Sequence, residues 1–354
     1  MSLDVRIGTC NIGVPFTDYQ SMLRTKNPEA AQALNQRLDA KTQSEEFQTL
    51  ARSLGGLEAA QARAVRAQLV NLQTKYENEL GDEIDQPIAA KLANELDVIC
   101  LQEVKNVNRA FIRTLQTAGF EIVTPVGETI DTAIAVRRSI YSAHTPFSTL
   151  TVSERRGDPF GEDVAGTTIT LRNGVTIAVA SLHTPGFALY RPGSAPRQVR
   201  DQSGEKNVAD NYVAKVFDHL ANQQADIKIV AGDMNNNPQN HTTPFSRIQQ
   251  RGFTVMQPKQ ATDWNGADQD YSARVLDFIF LRQKPFFESW KLFFKSLVSP
   301  VLRVSATAAD VMKGYAFESG KTCSDHLPVA TVLHIETRSL LQRIGQFARR
   351  LVGV

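Results

Sequence analysis

Polar side chains of the kinds that act in hydrolysis stand at the ends of apolar, strand-like segments in six places along the chain. In one of them an apolar run over residues 227–231 stops at Gly232 and is followed by Asp233 and Asn235. Residues two apart on an extended backbone point to the same side, so this carboxylate and this amide are expected to face one spot beyond the strand. The full set at such positions is Asn11, Glu103, His183, Asp233, Asn235, Asp277, Asp325 and His326. Any one of them could be a turn residue or a satisfied structural group, but their recurrence predicts a single site built from distant segments.

The combination of carboxylates, amides and two imidazoles suits the hydrolysis of a phosphoester. Attack on an anionic phosphate builds charge that a carboxylate-bound divalent metal neutralises, and the metal lowers the pKa of its bound water. Mg²⁺, with Mn²⁺ as the alternative, prefers oxygen ligands and few protein carboxylates, which fits Glu103. A histidine paired with aspartate, as in Asp325-His326, is an oriented base or acid near neutral pH, and a second imidazole such as His183 can hold phosphate oxygens. Because the sequence has no activated serine or cysteine motif, direct attack by water is the simplest chemistry.

Strands that carry these residues alternate with helices along most of the chain. Strands are predicted at 5–11, 96–101, 120–124, 132–137, 167–171, 175–182, 227–232, 275–281 and 329–335. Asn173-Gly174 lies between two of them and is typical of a hairpin turn. Helices are predicted at about 107–118 and 206–223, so that the pattern favours an α/β fold.

A long polar helical tract occupies residues 18–80 and is interrupted near residues 55–56. We interpret it as an inserted helical hairpin that follows the first strand. Asp85 and Pro87 then have the types expected of an N-cap and a first helical turn, which predicts a separate short helix ending near Glu95.

The bulk composition is that of a folded protein with a substantial core and nearly balanced charge. Hydrophobic residues make up 42% of the 354 residues and the net charge is +2, so charge alone does not indicate nucleic-acid binding. Cys10, Cys100 and Cys323 lack metal-type spacing and are expected to be buried thiols. The N-terminus lacks the segments of a signal peptide, and no uncharged apolar run approaches the roughly 20 residues of a membrane span. We therefore expect a cytoplasmic protein, or one exported without a cleavable signal peptide.

The motifs at these strand ends resemble those of one family, in type and in order along the chain. They are Thr9-Cys-Asn11, Leu101-Gln-Glu103, Ser181-Leu-His183-Thr, Gly232-Asp233-Met-Asn235, Leu276-Asp277-Phe and Ser324-Asp325-His326-Leu-Pro-Val. The chain thus resembles the endonuclease/exonuclease/phosphatase superfamily with its deoxyribonuclease I-like fold, over roughly residues 4–16 and 85–335. The resemblance implies a four-layered α/β sandwich, two packed mixed β-sheets flanked by helices, with the site at one end. It also implies a catalytic domain over 1–336, with 18–80 as a helical insertion after strand 1 and 337–354 as a C-terminal basic amphipathic helix.

The resemblance further implies roles in metal and phosphate binding. Glu103 would bind Mg²⁺ with Asn11 nearby. His183 would contact the phosphate and protonate or stabilise it, while Asp233 and Asn235 would position the attacking water and the scissile phosphate.

The remaining implied roles concern activation of the water. Asp325 would orient His326, the expected general base, and Asp277 would support the phosphate-binding imidazole. Family members differ over whether the aspartate of the Gly-Asp-x-Asn motif or the Asp-His pair activates water, so both assignments stay open.

Basic residues favour a nuclease among the substrate classes of this family. Lys105 follows Glu103 by two residues, where deoxyribonuclease-like members carry a basic residue that meets a backbone phosphate. Arg191 and Arg197, in a basic polar loop, are expected to add substrate contacts. One feature counts against a nuclease, because the segment Thr129-Ile-Asp-Thr132 lacks the arginine that such enzymes often have before the next strand.

The sequence leaves two alternatives to a nuclease open. A phospholipid head-group hydrolase, sphingomyelinase-like or a phosphoinositide phosphatase, is favoured by the aromatic segment 285–303 and by the amphipathic pattern of 337–352, which suggest peripheral contact with a membrane. The motif contexts typical of inositol phosphatases are missing. A non-enzymatic binding module on the same fold is the third class, but every matched position carries a side chain competent for chemistry. A phosphoester substrate, with nucleic acid favoured, is the resulting expectation.

Overall fold

The computed structural model describes residues 2–13, 24, 27–104, 109–125, 131–147, 164–184, 208–235, 242–265, 270–283, 301–313, 315 and 326–338. Within these ranges the helices are α1 (Pro28–Thr42), α2 (Glu45–Arg52), α3 (Ala59–Glu95), α4 (Arg109–Thr117), α5 (Val208–Asn222) and α6 (Thr242–Gln250). The strands are β1 (Ser2–Asn11), β2 (Val98–Gln102), β3 (Phe120–Val123), β4 (Thr132–Arg137), β5 (Tyr141–Pro146), β6 (Ala165–Leu171), β7 (Thr176–His183), β8 (Ile227–Asp233), β9 (Thr254–Met256), β10 (Asp263–Asn265), β11 (Asp270–Arg274), β12 (Asp277–Gln283), β13 (Val301–Ala306), β14 (Asp310–Val311) and β15 (Val329–Arg338).

The strands form two large mixed sheets and one small hairpin. Sheet A has the order β13-β15-β1-β2-β4-β3, with β14 paired to β15, and sheet B has the order β5-β6-β7-β8-β12-β9. Strands β10 and β11 pair with each other. At the centre of each large sheet lies a parallel pair, β1 with β2 and β7 with β8, and antiparallel strands flank it. In each parallel pair the carboxyl ends of both strands lie at the same edge of the sheet, and the predicted site residues are found at these ends.

Three apolar layers hold the fold together. The two sheets pack face to face through alternate residues of their strands, including Ile7 of sheet A and Ile229 of sheet B. Helices α3 and α4 cover the outer face of sheet A, where Phe111 is buried, and α5 and α6 cover sheet B, where Phe217 is buried. The four-layered α/β sandwich expected from the sequence is confirmed.

The central strands are buried on both faces because a helix layer covers one side and the other sheet covers the opposite side. All residues of β2 and of β8 are buried. Such strands consist largely of apolar residues, so their ends stand out in the sequence. The predicted hairpin between β6 and β7 is also present, with Gly174 in the left-handed conformation at φ 83°.

Residues 27–80 of the inserted tract, which the structure describes, form α1, α2 and the first part of α3, and not a two-helix hairpin. Helices α1 and α2 both pack on the middle of α3: Lys41 pairs with Glu79 at 2.5 Å, and Ser44 Oγ lies 2.9 Å from Tyr76 OH. The structure describes residue 24 and residues 27–80 of this tract, while the rest of it lies outside the described residues.

The helix start predicted at Asp85 is wrong, because α3 runs unbroken to Glu95 with Pro87 inside it. Proline removes one backbone hydrogen bond and normally ends or kinks a helix. Here the residues that follow, including Ile88 and Leu92, are buried against sheet A. Packing of this face outweighs the local cost of the proline.

The C-terminal part also differs from the expectation. Strand β15 continues to Arg338, so residues 337 and 338 extend a strand and do not begin a helix. The remainder of the predicted C-terminal helix, 339–354, lies outside the described residues, as does 284–300 of the aromatic segment. The short strands β5, β9, β10, β11, β13 and β14 were not predicted. No helix in the described ranges has the length and apolar character needed to cross a membrane.

Candidate active site

The ends of the central strands bring seven of the predicted site residues to one end of the sandwich. Asn11 ends β1, and Asp233 ends β8, so that one belongs to sheet A and the other to sheet B. His183 lies opposite Asp233 in the parallel pair β7–β8, and Asp277 lies opposite Asp233 in the antiparallel pair β8–β12. A hydrogen bond joins the two sheets at this end: Asn11 Nδ2 donates to Asp233 Oδ2 at 3.2 Å.

Asp233 is the centre of the cluster and is almost completely buried. Its Oδ1 accepts the backbone N–H of Asn235 at 2.7 Å. Its Oδ2 lies 3.6 Å from Nε2 of His326 and 3.8 Å from Nε2 of His183. The same oxygen accepts the bond from Asn11, so one carboxylate oxygen faces both imidazoles.

His326 forms a buried pair with Asp277. Its Nδ1 lies 2.8 Å from Asp277 Oδ2, and the two side chains are 6% and 0% exposed. Burial raises the pKa of Asp277, and the charge and hydrogen bond of His326 oppose this rise. The pairing expected between Asp277 and the phosphate-binding imidazole is wrong, because Asp277 bonds the other histidine. Asp325, which the sequence suggested as the partner of His326, lies outside the described residues.

Thr262 forms hydrogen bonds to the backbone segments that carry Asp277 and His326. Its hydroxyl oxygen accepts the backbone N–H groups of Leu276 and Asp277 at 2.9 and 3.2 Å. Its carbonyl oxygen accepts the N–H of Leu327, the residue after His326, at 2.7 Å. One buried threonine thus ties together the segments that carry both members of the pair.

Asp131 is a site residue that the sequence reading missed. It lies directly before β4 and its Oδ2 is 2.6 Å from Nδ1 of His183. Burial by itself lowers the pKa of His183, but the hydrogen bond with Asp131 and the charges of Asp233, Asp131 and Glu103 outweigh it, so the pKa is raised above its ordinary value. The signal for it in the sequence is an acidic residue directly before a strand-like apolar segment, in Thr129-Ile-Asp-Thr132.

Glu103 reaches the site through an unusual backbone conformation. On β2 the inner face carries Val98, Cys100 and Gln102, so strict alternation would turn residue 103 away from the other sheet. Its φ of 57° breaks this alternation, and its Oε1 accepts Asn11 Nδ2 at 3.1 Å. A positive φ in a residue other than glycine is uncommon and is often found at functional sites.

The neighbouring loop leaves room for this glutamate only because residue 13 is glycine. A Cβ atom at Gly13 would lie 2.2 Å from the Cβ of Glu103. Asn235, two residues after the end of β8, has a positive φ of 45° as well. Its Nδ2 donates to the carbonyl of Thr184 at 2.9 Å, which holds the segment after β8 against the segment after β7.

The donor set fits a divalent cation that prefers oxygen ligands. Glu103 is the carboxylate best placed for it, since it is partly exposed and borders both Asn11 and His183, whose Nε2 is 3.9 Å from Glu103 Oε1. Four carboxylates surround two imidazoles here, so a phosphate anion would need a cation beside it. A second group, Asp233, Asp277 and His326, has ligand atoms within 4.8 Å of one another, but the Asp277 oxygen already bonds His326.

A model of the Endonuclease/Exonuclease/phosphatase family matches residues 54–326, which is most of the chain. The chain belongs to this family. Members of it are phosphoester hydrolases, and the resemblance drawn from the sequence motifs is therefore confirmed at that level. No curated protein sequence matches the chain significantly.

Several solved structures of the family are similar to the chain at low identity. An endonuclease/exonuclease/phosphatase from Bacteroides vulgatus is 12% identical with a TM-score of 0.49, over 95% of this chain and 100% of that one. D. rerio TDP2 complexed with a single-strand DNA product is 12% identical with a TM-score of 0.45, over 93% and 98%. ANGEL2, a 2′,3′-cyclic phosphatase, is 12% identical with a TM-score of 0.48, over 95% and 96%. Structural similarity at this low sequence identity gives no information about the substrate of this chain.

The predicted site residues of this family member divide into two groups. The structure gathers Asn11, Glu103, His183, Asp233, Asn235, Asp277 and His326 into one cluster. Asp325, Lys105, Arg191 and Arg197 lie outside the described residues. Asp131 and Thr262 join the first group as residues that only the structure reveals.

Proposed function

We propose that this protein is a divalent-metal-dependent phosphoester hydrolase, and that it is a nuclease that cleaves phosphodiester bonds of a nucleic acid. The observation that supports this most directly is the convergence of two Asp–His pairs on one carboxylate oxygen, Asp233 Oδ2. Family membership supports the reaction class. The choice of nucleic acid rests on the basic residues Lys105, Arg191 and Arg197 of the sequence.

His326 is the base that takes a proton from the attacking water. Because Asp277 accepts the Nδ1–H of its ring at 2.8 Å, Nε2 is the nitrogen that accepts a proton, and it points towards Asp233. The carboxylate of Asp277 then stabilises the imidazolium that forms. Asp233 Oδ2, held by Asn11, orients the water between the ring and the phosphate.

His183 acts on the phosphate as a hydrogen-bond donor. Its raised pKa increases the fraction of imidazolium near neutral pH. An Nε2–H at this position donates to a phosphate oxygen, where negative charge develops in the transition state. Asp131 keeps the ring in this orientation through Nδ1.

A divalent cation held by Glu103 beside Asn11 would neutralise part of the phosphate charge. The remaining polar groups hold the reacting geometry. The Asn235 amide is fixed by the Thr184 carbonyl, and its backbone N–H fixes the orientation of the Asp233 carboxylate.

A substrate panel tests the proposal. Purified protein is assayed with Mg²⁺ and with chelator on plasmid DNA, RNA, sphingomyelin, phosphoinositides and a generic phosphodiester. We expect hydrolysis of DNA or RNA that stops with chelator and falls by about 10²-fold or more in His183→Ala and His326→Ala.

His334→Ala is the matched control, because His334 also bonds an aspartate, Asp4, at 2.8 Å but at an exposed position far along β15. It should retain full activity. Full activity of either site variant would refute the mechanism. Hydrolysis of sphingomyelin or phosphoinositides without cleavage of nucleic acid would support a phosphoester hydrolase but refute nucleic acid as its substrate.

A further inference from the structure

Three buried polar side chains form a layer between the two sheets, directly beneath the candidate active site. They are Thr9 of β1, Gln102 of β2 and Ser181 of β7, and none of them is exposed. We call these three residues the polar belt. The layer below it is apolar and includes Ile7, Cys100 and Val179 on the same three strands.

The hydrogen bonds of the polar belt run from sheet A to sheet B and back. Thr9 Oγ1 donates to Gln102 Oε1 at 3.0 Å, and Gln102 Nε2 donates to Ser181 Oγ at 2.9 Å. The hydroxyl of Ser181 donates in turn to the carbonyl of Leu101 at 2.8 Å. Because the serine proton is used on Leu101, its oxygen must accept, and this fixes which end of the Gln102 amide faces each sheet.

The register of the strands places the polar belt one layer below the site. Residues two apart on a strand share a face, so Thr9 lies beneath Asn11 and Ser181 lies beneath His183. Gln102 directly precedes Glu103. Each belt residue therefore lies one or two positions before a residue of the candidate site along the chain.

A polar layer between two sheets contributes less to folding stability than an apolar layer would, which suggests that stability is not its only role. Apolar side chains fill most of the rest of the interface, and burying hydroxyl and amide groups gains little net stability even when they are hydrogen-bonded. Hydrogen bonds have a narrow range of length and direction, whereas apolar contacts tolerate sliding. A belt of such bonds fixes the separation and the relative offset of the two sheets at this level.

We propose that the polar belt, with Gln102 at its centre, is a positioning network that sets the width of the active site. It holds Asn11 and Glu103 of sheet A at a fixed distance from His183 and Asp233 of sheet B. This inference rests on the proposed function for its effect on turnover, but its effect on geometry does not depend on that function. Gln102, Thr9 and Ser181 touch none of the reacting groups and act through the residues above them.

Thr9→Val and Ser181→Ala test the proposal, because the first removes one hydrogen bond of the polar belt and the second removes two, each with little change in volume. Thr331→Val is the matched control: Thr331 is also buried, its hydroxyl donates to the Thr307 carbonyl at 2.8 Å, and it lies on β15 beside β1. All three variants lose a buried hydroxyl bond, and all three are expected to melt at a similarly reduced temperature. Only the two belt variants are expected to alter the site.

The first readout needs neither metal nor substrate. The ring resonances of His183 are recorded by NMR in metal-free protein and assigned by a His183→Gln variant. They should shift in Thr9→Val and Ser181→Ala and stay in place in Thr331→Val. The second readout is Mn²⁺ binding followed by electron paramagnetic resonance, where the belt variants should bind more weakly than the control.

The third readout is turnover on the preferred substrate of the panel. The belt variants should lose about 10-fold to 10²-fold in kcat, with a smaller change in KM, since displacement of reacting groups by less than an ångström to an ångström has effects of this size. Unchanged His183 resonances and unchanged kcat in folded belt variants would overturn the proposal. A wild-type protein that cleaves no phosphoester would overturn the proposed function alone, and the ring resonances would still decide the role of the polar belt.

Discussion

Replacement of Asp277 by asparagine should lower kcat about 10³-fold and leave the fold intact. In the wild type, the ring of His326 becomes an imidazolium beside a fully buried carboxylate when Nε2 takes a proton. With charge centres about 4 Å apart and an effective dielectric constant of about 20, this attraction is about 4 kcal/mol. At 1.36 kcal/mol per tenfold in rate, the loss corresponds to roughly 10³-fold. Asparagine is nearly isosteric, so the packing around it is retained.

The assay is single-turnover hydrolysis of the substrate that the panel identifies, with folding checked by circular dichroism and thermal melting. Asp4→Asn is the matched control. Asp4 Oδ1 lies 2.8 Å from His334 Nδ1, the same bond length as in the buried pair, but the side chains are 58% and 45% exposed. Solvent screens this pair, and the control should keep wild-type kcat.

A double variant separates action through His326 from direct action of Asp277. If the aspartate works only through the imidazole, then Asp277→Asn combined with His326→Ala should be no slower than His326→Ala alone. A folded Asp277→Asn protein with kcat within about twofold of the wild type would refute the reasoning, as the calculated loss is roughly 10³-fold.

Three further predictions concern stability. Gly232→Ala should destabilise the protein by about 3 kcal/mol or more in denaturant unfolding, because the new Cβ would lie 1.8 Å from the Leu182 carbonyl oxygen; unfolding like that of the wild type would contradict the close approach of β8 to β7. Hydrogen bonds from Tyr141 and then His144 lower the pKa of Glu121, so its stabilisation is present above the unfolded pKa of about 4.3 and is lost as pH falls through the folded value. Acid unfolding of Glu121→Gln should therefore depend less on pH below about 4.3 than that of the wild type. Burial, followed by the bond to Glu121, raises the pKa of Tyr141 to about 12, so stability should fall as pH rises from about 10 towards that value and fall less in Tyr141→Phe; identical pH profiles would count against both hydrogen bonds.

Residues that follow a continuous apolar run could be recognised from the sequence. Gly232, Asp233 and Asn235 stand out because a strand buried on both faces has almost no polar residues until it ends. The same reasoning located Glu103 and His183. Local pattern was enough for these residues because the parallel centre of each sheet is buried by helices on one side and by the other sheet on the opposite side.

Local rules failed where packing outweighed them. Pro87 marks a helix boundary by propensity, yet α3 continues through it because the apolar residues that follow are buried on sheet A. Residues 337 and 338 fit a basic helix by composition, yet they extend β15, where Thr337 pairs with Leu302 of β13. Propensity is a weak prior against the burial of a whole face.

The sequence by itself determined the family, the fold class and the chemical types at the strand ends, since strand period and motif order are properties of the linear chain. Only the tertiary structure decided which aspartate serves which histidine. Asp131 and His183 are 52 residues apart, and Asp277 and His326 are 49 apart; strand pairing within the sheets and packing between them bring each pair together. A hydrogen bond depends on position in space to within a few tenths of an ångström, and no local pattern in the sequence carries that information.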